Sequence, residues 1–334
     1  MTSSKHQLFQ APRRPYYIEA PAYRRTSAGI RVLHLLCHAL NRIGEEAYVY
    51  PTEVNPQLNT PIATPEIIER HRLAEREPIV VYPEVVTGNP RRANSVVRYV
   101  LNRAGLLGGD ATFADTELIF GFGHYALPEG ADPQNILFLP PIDTSVFNNL
   151  ENPDDGQRDG VLLYPGRHSS ALALYPDLAA RATLITSSWP ETHEELAALF
   201  RRSEAIYCFE STAIGLEAVL CGCPAIILRS PFFQGQLLTE NEIGRFGIAL
   251  DDSPEEIEYA LRTVGQMWEA YKQAEERFWE QLERFVALSQ AMPIHRAPSQ
   301  LAQDPIQANA LKQYDIWRAR TAFAEIDAEI LAER

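Results

Sequence analysis

Residues 205–228 read Ala-Ile-Tyr-Cys-Phe-Glu-Ser-Thr-Ala-Ile-Gly-Leu-Glu-Ala-Val-Leu-Cys-Gly-Cys-Pro-Ala-Ile-Ile-Leu. The opening Ala205 to Cys208 is a short apolar run of strand length, and Glu210-Ser211-Thr212 breaks it with polar groups. From Ile214 to Cys221 nearly every residue is apolar or small, as a buried helix requires, and Gly222 is placed to close that helix. Ala225 to Leu228 is apolar again. Strand, polar turn, helix, small-residue turn and strand make a βαβ unit. The first turn of such a helix has unpaired N–H groups and the positive end of the dipole, so Ser211 and Thr212 stand where a phosphate is held. The plainer alternative is that one of them only caps the helix. Glu217, further along it, either accepts a pair of hydrogen bonds from vicinal ribose hydroxyls or is a solvated carboxylate.

The same alternation runs outward in both directions. Toward the C-terminus lies a helix beginning at Ser253-Pro254-Glu255-Glu256, a capping-box pattern with proline at the first helical position. The helical, highly charged pattern continues from Glu255 to Gln290, and a last helix is expected from Ile306 to Ala332. Toward the N-terminus, strands are expected at Thr183 to Thr186 and Val161 to Tyr164, with a helix at Glu191 to Arg202. Beyond the polar stretch Asn149 to Asp159, which reads as a linker, come strands at Ile136 to Leu139, Leu118 to Phe120, Ile79 to Tyr82, Ala47 to Tyr50 and Tyr16 to Ile18. Ile30 to Ile43 carries Val32, Leu33, Leu36, Leu40 and Ile43 at helical spacing, and Gly44 ends it. Asn55 to Thr64, rich in Pro and Asn, reads as an irregular loop.

A chain of 334 residues exceeds what one hydrophobic core accommodates, so two domains are expected. They are residues 1–148 and residues 149–305, with the helix at about 306–334 returning to the first. Composition narrows the function. At 46% hydrophobic and 22% charged the chain is globular, and no apolar run approaches the roughly 18 residues of a membrane span. Met1 to Arg14 has no apolar core of a signal peptide, which predicts a cytoplasmic protein. The four cysteines lack zinc or redox spacing and read as buried thiols. A net charge of −14 disfavours nucleic acid as a partner.

The residues 205–228 resemble the donor-binding motif of GT-B glycosyltransferases, a fold of two Rossmann-like domains facing each other across a cleft, and the resemblance extends in order over most of the chain. Its Ser-Thr-x-x-Gly-x-Glu-Ala form, Ser211 to Ala218 with Gly215 inside, is similar to transferases of capsule and lipopolysaccharide assembly. Val161 to Arg167 resembles the first strand of the donor domain, whose Gly166-Arg167 end faces the phosphates. Tyr16 to Tyr50, with Thr26-Ser27-Ala28-Gly29 entering a helix, resembles the first unit of the acceptor domain. The resemblance implies transfer of a sugar from a nucleotide sugar to a glycan or lipid-linked glycan, in surface polysaccharide biosynthesis, with no cofactor. The nucleotide stays open among UDP, GDP, TDP and CMP. A nucleotide-sugar 2-epimerase of the same fold and a non-catalytic binding subunit are the competing expectations.

Further residues join the candidate site. Glu210 precedes the phosphate turn, and Ser188 and Trp189 stand where this superfamily places the nucleobase, Trp189 as a stacking ring or as a core or interdomain aromatic. Tyr82-Pro-Glu-Val-Val-Thr-Gly-Asn-Pro90 follows a strand, so Glu84, Thr87 and Asn89 are expected at the cleft. Glu84 is a candidate general base, Glu19 competes for that role, and either is needed only for inversion. Glu84 as the cap of a turn is the alternative. His34 and His38 have the spacing of a metal pair but no third ligand, and no Asp-x-Asp motif is present. Transfer is therefore expected to proceed without metal, with Arg167 and the helix dipole bearing the leaving phosphate's charge. Arg91 to Ala104 reads as an amphipathic helix with Val96, Val97, Val100 and Leu101 as its stripe. Its Arg91, Arg92 and Arg98 suggest peripheral contact with the inner membrane face, against the plainer alternative of a helix packed on the first sheet.

Overall fold

The computed structural model describes residues 13–50, 53–150, 158–233 and 235–295. The chain divides into two compact units, the first holding residues 13–122, 127–137 and 281–295, the second residues 123–126 and 138–280. The expected last helix lies outside the described residues, as does most of the expected linker.

The first unit is built on β1 (Tyr16–Ile18), α1 (Ala28–Arg42), β2 (Ala47–Val49), α2 (Pro65–Leu73), β3 (Ile79–Pro83), β4 (Val96–Val100) and β5 (Leu118–Gly121). All neighbouring strands are parallel, in the order β2-β1-β3-β4-β5. Strands buried on both faces read as unbroken apolar runs, and every residue of β1 to β4 is buried. On α1, Val32, Leu33, Leu36 and Leu40 are buried as their spacing predicts, whereas Ile43, expected on that face, is 43% exposed at the helix end.

The second unit contains β6 (Val161–Tyr164), α3 (Pro176–Arg181), β7 (Thr183–Leu184), α4 (His193–Arg202), β8 (Ala205–Cys208), α5 (Ala213–Leu220), β9 (Ala225–Ile227), α6 (Glu240–Ile243), β10 (Ile248–Ala249) and α7 (Pro254–Thr263). Its sheet, also all parallel, runs β7-β6-β8-β9-β10. Numbered within each unit the two orders are the same, 2-1-3-4-5. Both units are thus the Rossmann-like α/β units that the GT-B resemblance implies. The long α8 (Met267–Gln290) belongs to the second unit up to Glu280 and to the first from Gln281. In the first unit its end is held by Tyr16, whose hydroxyl lies 2.8 Å from Ser289 Oγ, and by Phe285, which packs on Phe120.

The structure corrects several expectations. Residues 96–100 are strand β4, not part of an amphipathic helix. Three β-branched valines and a tyrosine favour the extended form, and both faces of the segment are covered, so the helical spacing of its apolar residues was coincidental. Arg98, assigned to a membrane-facing flank, is fully buried. It grips Glu117 through Nε and Nη2 at 2.8 and 3.0 Å and donates to the carbonyls of Val86 and Gly88. Ile136 to Leu139 makes a single bridge, Gly121 to Ile136, because the chain passes into the second unit at Phe138 and meets Pro140-Pro141. The helix starting at Pro254 forms, but not its capping box: Ser253 Oγ donates to Asp251. A 3-10 turn, Val264–Gln266, divides α7 from α8 where one helix was expected.

Candidate functional site

Open parallel sheets bind ligands beyond the carboxyl ends of their strands, where the strand order reverses. In the second unit that point lies between β6 and β8. Register pairs Tyr164 with Cys208, so Gly166 and Glu210, two residues past each, come out side by side. The chain turns sharply there: Gly166 has φ +55, and a Cβ on it would stand 3.3 Å from Glu210 Oε1. Arg167 follows and donates through Nη2 to Glu210 Oε2 at 2.8 Å. His168 Nε2 is 3.3 Å from the same oxygen. The His168 ring stacks on Phe232 at 3.8 Å and 10°. Beneath them burial pushes the Tyr164 phenol up to about 12, with the negative charges of Glu210 and Glu217 adding to the effect and Arg167 opposing it.

On the other side of the reversal, β8 delivers Ser211 and Thr212 to the start of α5. Thr212 is the N-cap and accepts from Ile214 N at 3.2 Å. Capping therefore occurs, and it does not exclude a ligand at the same turn. Ser211 Oγ accepts from Leu238 N at 3.5 Å. Gly215 lets α5 lie close on the sheet, since a Cβ there would be 3.4 Å from that of Ala225. Glu217 is 2% exposed, which removes the solvated alternative. Trp189 is 43% exposed, which removes the core alternative; it lies on the turn after the edge strand β7, where Thr186 N donates to its carbonyl. Ser188 Oγ is 3.3 Å from Thr186 Oγ1.

The corresponding reversal in the first unit lies between β1 and β3, and these strands lead to Glu19 and Glu84. Neither carboxylate is open to solvent. Glu19 is buried and takes Arg91 Nε and Nη2 at 2.9 and 3.2 Å, and that guanidinium also lies over the Tyr50 ring. Glu84 accepts from Leu101 N at 2.8 Å, and burial pushes its carboxyl up to about 7. Asn89 organises its own loop, accepting from Tyr82 Oη and Ala93 N. Thr87 is half-buried in the same loop. At the start of α1, Thr26 and Gly29 are half-buried and Ser27 is an N-cap without a side-chain bond. The structure thus gathers Gly166, Arg167, Glu210, Ser211 and Thr212 into one cluster. It adds His168 and Phe232, which the sequence reading missed: His168 directly follows the Gly-Arg pair, and Phe232 carries no sequence signal. Among the described residues no group of three or more His, Cys, Asp or Glu is placed to hold a metal, and no helix is long and apolar enough to cross a membrane.

No family model matches the chain, and no curated protein does. Solved structures do match. The glycosyltransferase SnogD from Streptomyces nogalater is 14% identical, with 83% of this chain and 100% of that one covered at a TM-score of 0.45. WaaG, a glycosyltransferase involved in lipopolysaccharide biosynthesis, is 11% identical over 83% of this chain and 100% of its own, at 0.44. A putative UDP-N-acetylglucosamine 2-epimerase from Listeria monocytogenes is 11% identical over 90% and 94%, at 0.38.

Proposed function

We propose that this chain is a glycosyltransferase that holds the phosphate of a nucleotide sugar at the β6–β8 reversal and passes the sugar to a glycan or lipid-linked glycan. The observation that supports this reading is that Arg167 and His168 meet Glu210 immediately ahead of Ser211, Thr212 and the N-terminus of α5. As the acceptor hydroxyl attacks the anomeric carbon and gives up its proton to the departing phosphate or to solvent, the bond to the nucleotide phosphate breaks and negative charge grows on the departing oxygen. A guanidinium and an oriented helix end are the groups that stabilise such charge, and they need no metal to do so. Arg167 is therefore the leaving-group residue of the proposed reaction, and the first unit is its acceptor side.

The test is incubation with UDP-, GDP-, TDP- and CMP-sugars with and without glycan acceptors, in the presence of excess EDTA. The expected outcome is nucleotide release that requires an acceptor and persists on chelation. Sugar isomerisation without an acceptor, or no turnover of any donor, would contradict transfer. Activity lost to EDTA and restored by manganese or magnesium would contradict the metal-free step.

A further inference from the structure

We propose that Glu210 competes with the donor's phosphate for Arg167 and His168, so that a nucleotide binds by exchange with a carboxylate of the protein itself. This rests on the reading above, that an anionic ligand occupies the β6–β8 turn. A carboxylate and a phosphate present the same kind of acceptor to a guanidinium fork. Glu210 Oε2 already takes the Arg167 Nη2 hydrogen bond at 2.8 Å and lies 3.3 Å from His168 Nε2, while Oε1 is 3.4 Å from Arg167 Nε. The protein's own anion is thus seated on the two groups a phosphate would use.

Exposure separates this ion pair from a structural one. The side chains of Arg167 and Glu210 are 52% and 19% exposed, against 1% and 9% for Arg98 and Glu117. The first pair can part into solvent and the second cannot. The stack on Phe232 holds the His168 imidazole beside Glu210, and a side chain in place of Gly166 would stand 3.3 Å from the carboxylate. Glu210 then has two consequences. It aims Arg167 at the turn before a ligand arrives, and it repels the ligand's charge until it swings away.

The experiment is calorimetric titration of inorganic pyrophosphate, UDP, GDP, TDP and CMP into the wild-type chain, Glu210→Gln, Glu210→Gln with Arg167→Ala, and Glu255→Gln. Glu255 is exposed in the first turn of α7 and controls for net charge. Exchange predicts that Glu210→Gln tightens binding of the recognised anion by about tenfold, the scale of one charge-assisted contact released. Glu255→Gln should leave it unchanged, and Arg167→Ala should remove the gain. Equal or weaker binding by Glu210→Gln, with the wild type binding normally, would overturn exchange and leave the proposed site intact. Absence of binding by every form would overturn both.

Discussion

Two carboxylates of the first unit are driven in opposite directions by their surroundings. At Glu84 burial outweighs the backbone hydrogen bonds from Leu101 and Asn102, and the carboxyl rises from 4.5 to about 7. At Glu46 burial also acts upward, but hydrogen bonds from Tyr48, Arg76 and His71 outweigh it and hold the carboxyl at about 2. Glu84 is protonated in the fold where the unfolded chain is ionised, so its contribution is full below about pH 4.5 and is lost as pH rises through about 7. That of Glu46 is present above about pH 4.5 and is lost as pH falls toward 2. Glu84→Gln keeps an acceptor for Leu101 N and removes the ionisation. Its Tm should match the wild type near pH 4 and exceed it at pH 8, with a gain of about 3 kcal/mol at most. The same difference at both pH values would contradict the account.

Among the elements, β4 carries the clearest lesson. Its Arg98 satisfies Glu117 and the carbonyls of Val86 and Gly88 in the loops beside the sheet, so Arg98→Ala leaves a nearly buried carboxylate uncompensated. Urea unfolding should show a loss of about 3 to 5 kcal/mol, whereas a solvated arginine on a helix flank would change stability by less than about 0.5. Strands with uniform apolar runs were legible from sequence: β1, β6 and β8 begin and end where expected. So were α1 and α5, set by apolar spacing and by Gly44 and Gly222, the latter closing its helix at φ +76. β4 was not, because Val96, Val97, Val100 and Leu101 satisfy a helical period as well as a strand. α2 was missed although Thr64-Pro65-Glu66 opens it, with Thr64 accepting from Ile67 N. Of the candidate site, Ser211 and Thr212 were expected from their place between strand and helix, and Arg167 from the resemblance. The covering of Glu84 and Glu19 could not be expected, since Leu101 and Arg91 reach them from distant positions in the chain.

At the scale of the whole molecule, two sheets of identical order create two strand reversals of different chemistry. The first unit's reversal is lined by carboxylates that the protein has already engaged. The second unit's brings Arg167, His168 and Glu210 together ahead of Ser211, Thr212 and the N-terminus of α5, and it is there that we propose an anion binds. Everything proposed about transfer depends on an anion binding there. The direct measurement is calorimetric titration of UDP, GDP, TDP and CMP into the wild-type chain and into the double variant Ser211→Ala, Thr212→Ala, with circular dichroism confirming that the variant is folded. The account predicts that at least one nucleotide binds the wild type and that the folded double variant binds it about tenfold more weakly or worse, since hydrogen bonds to a charged ligand contribute about 1.5 to 3 kcal/mol each. Undiminished affinity in the folded variant would contradict it.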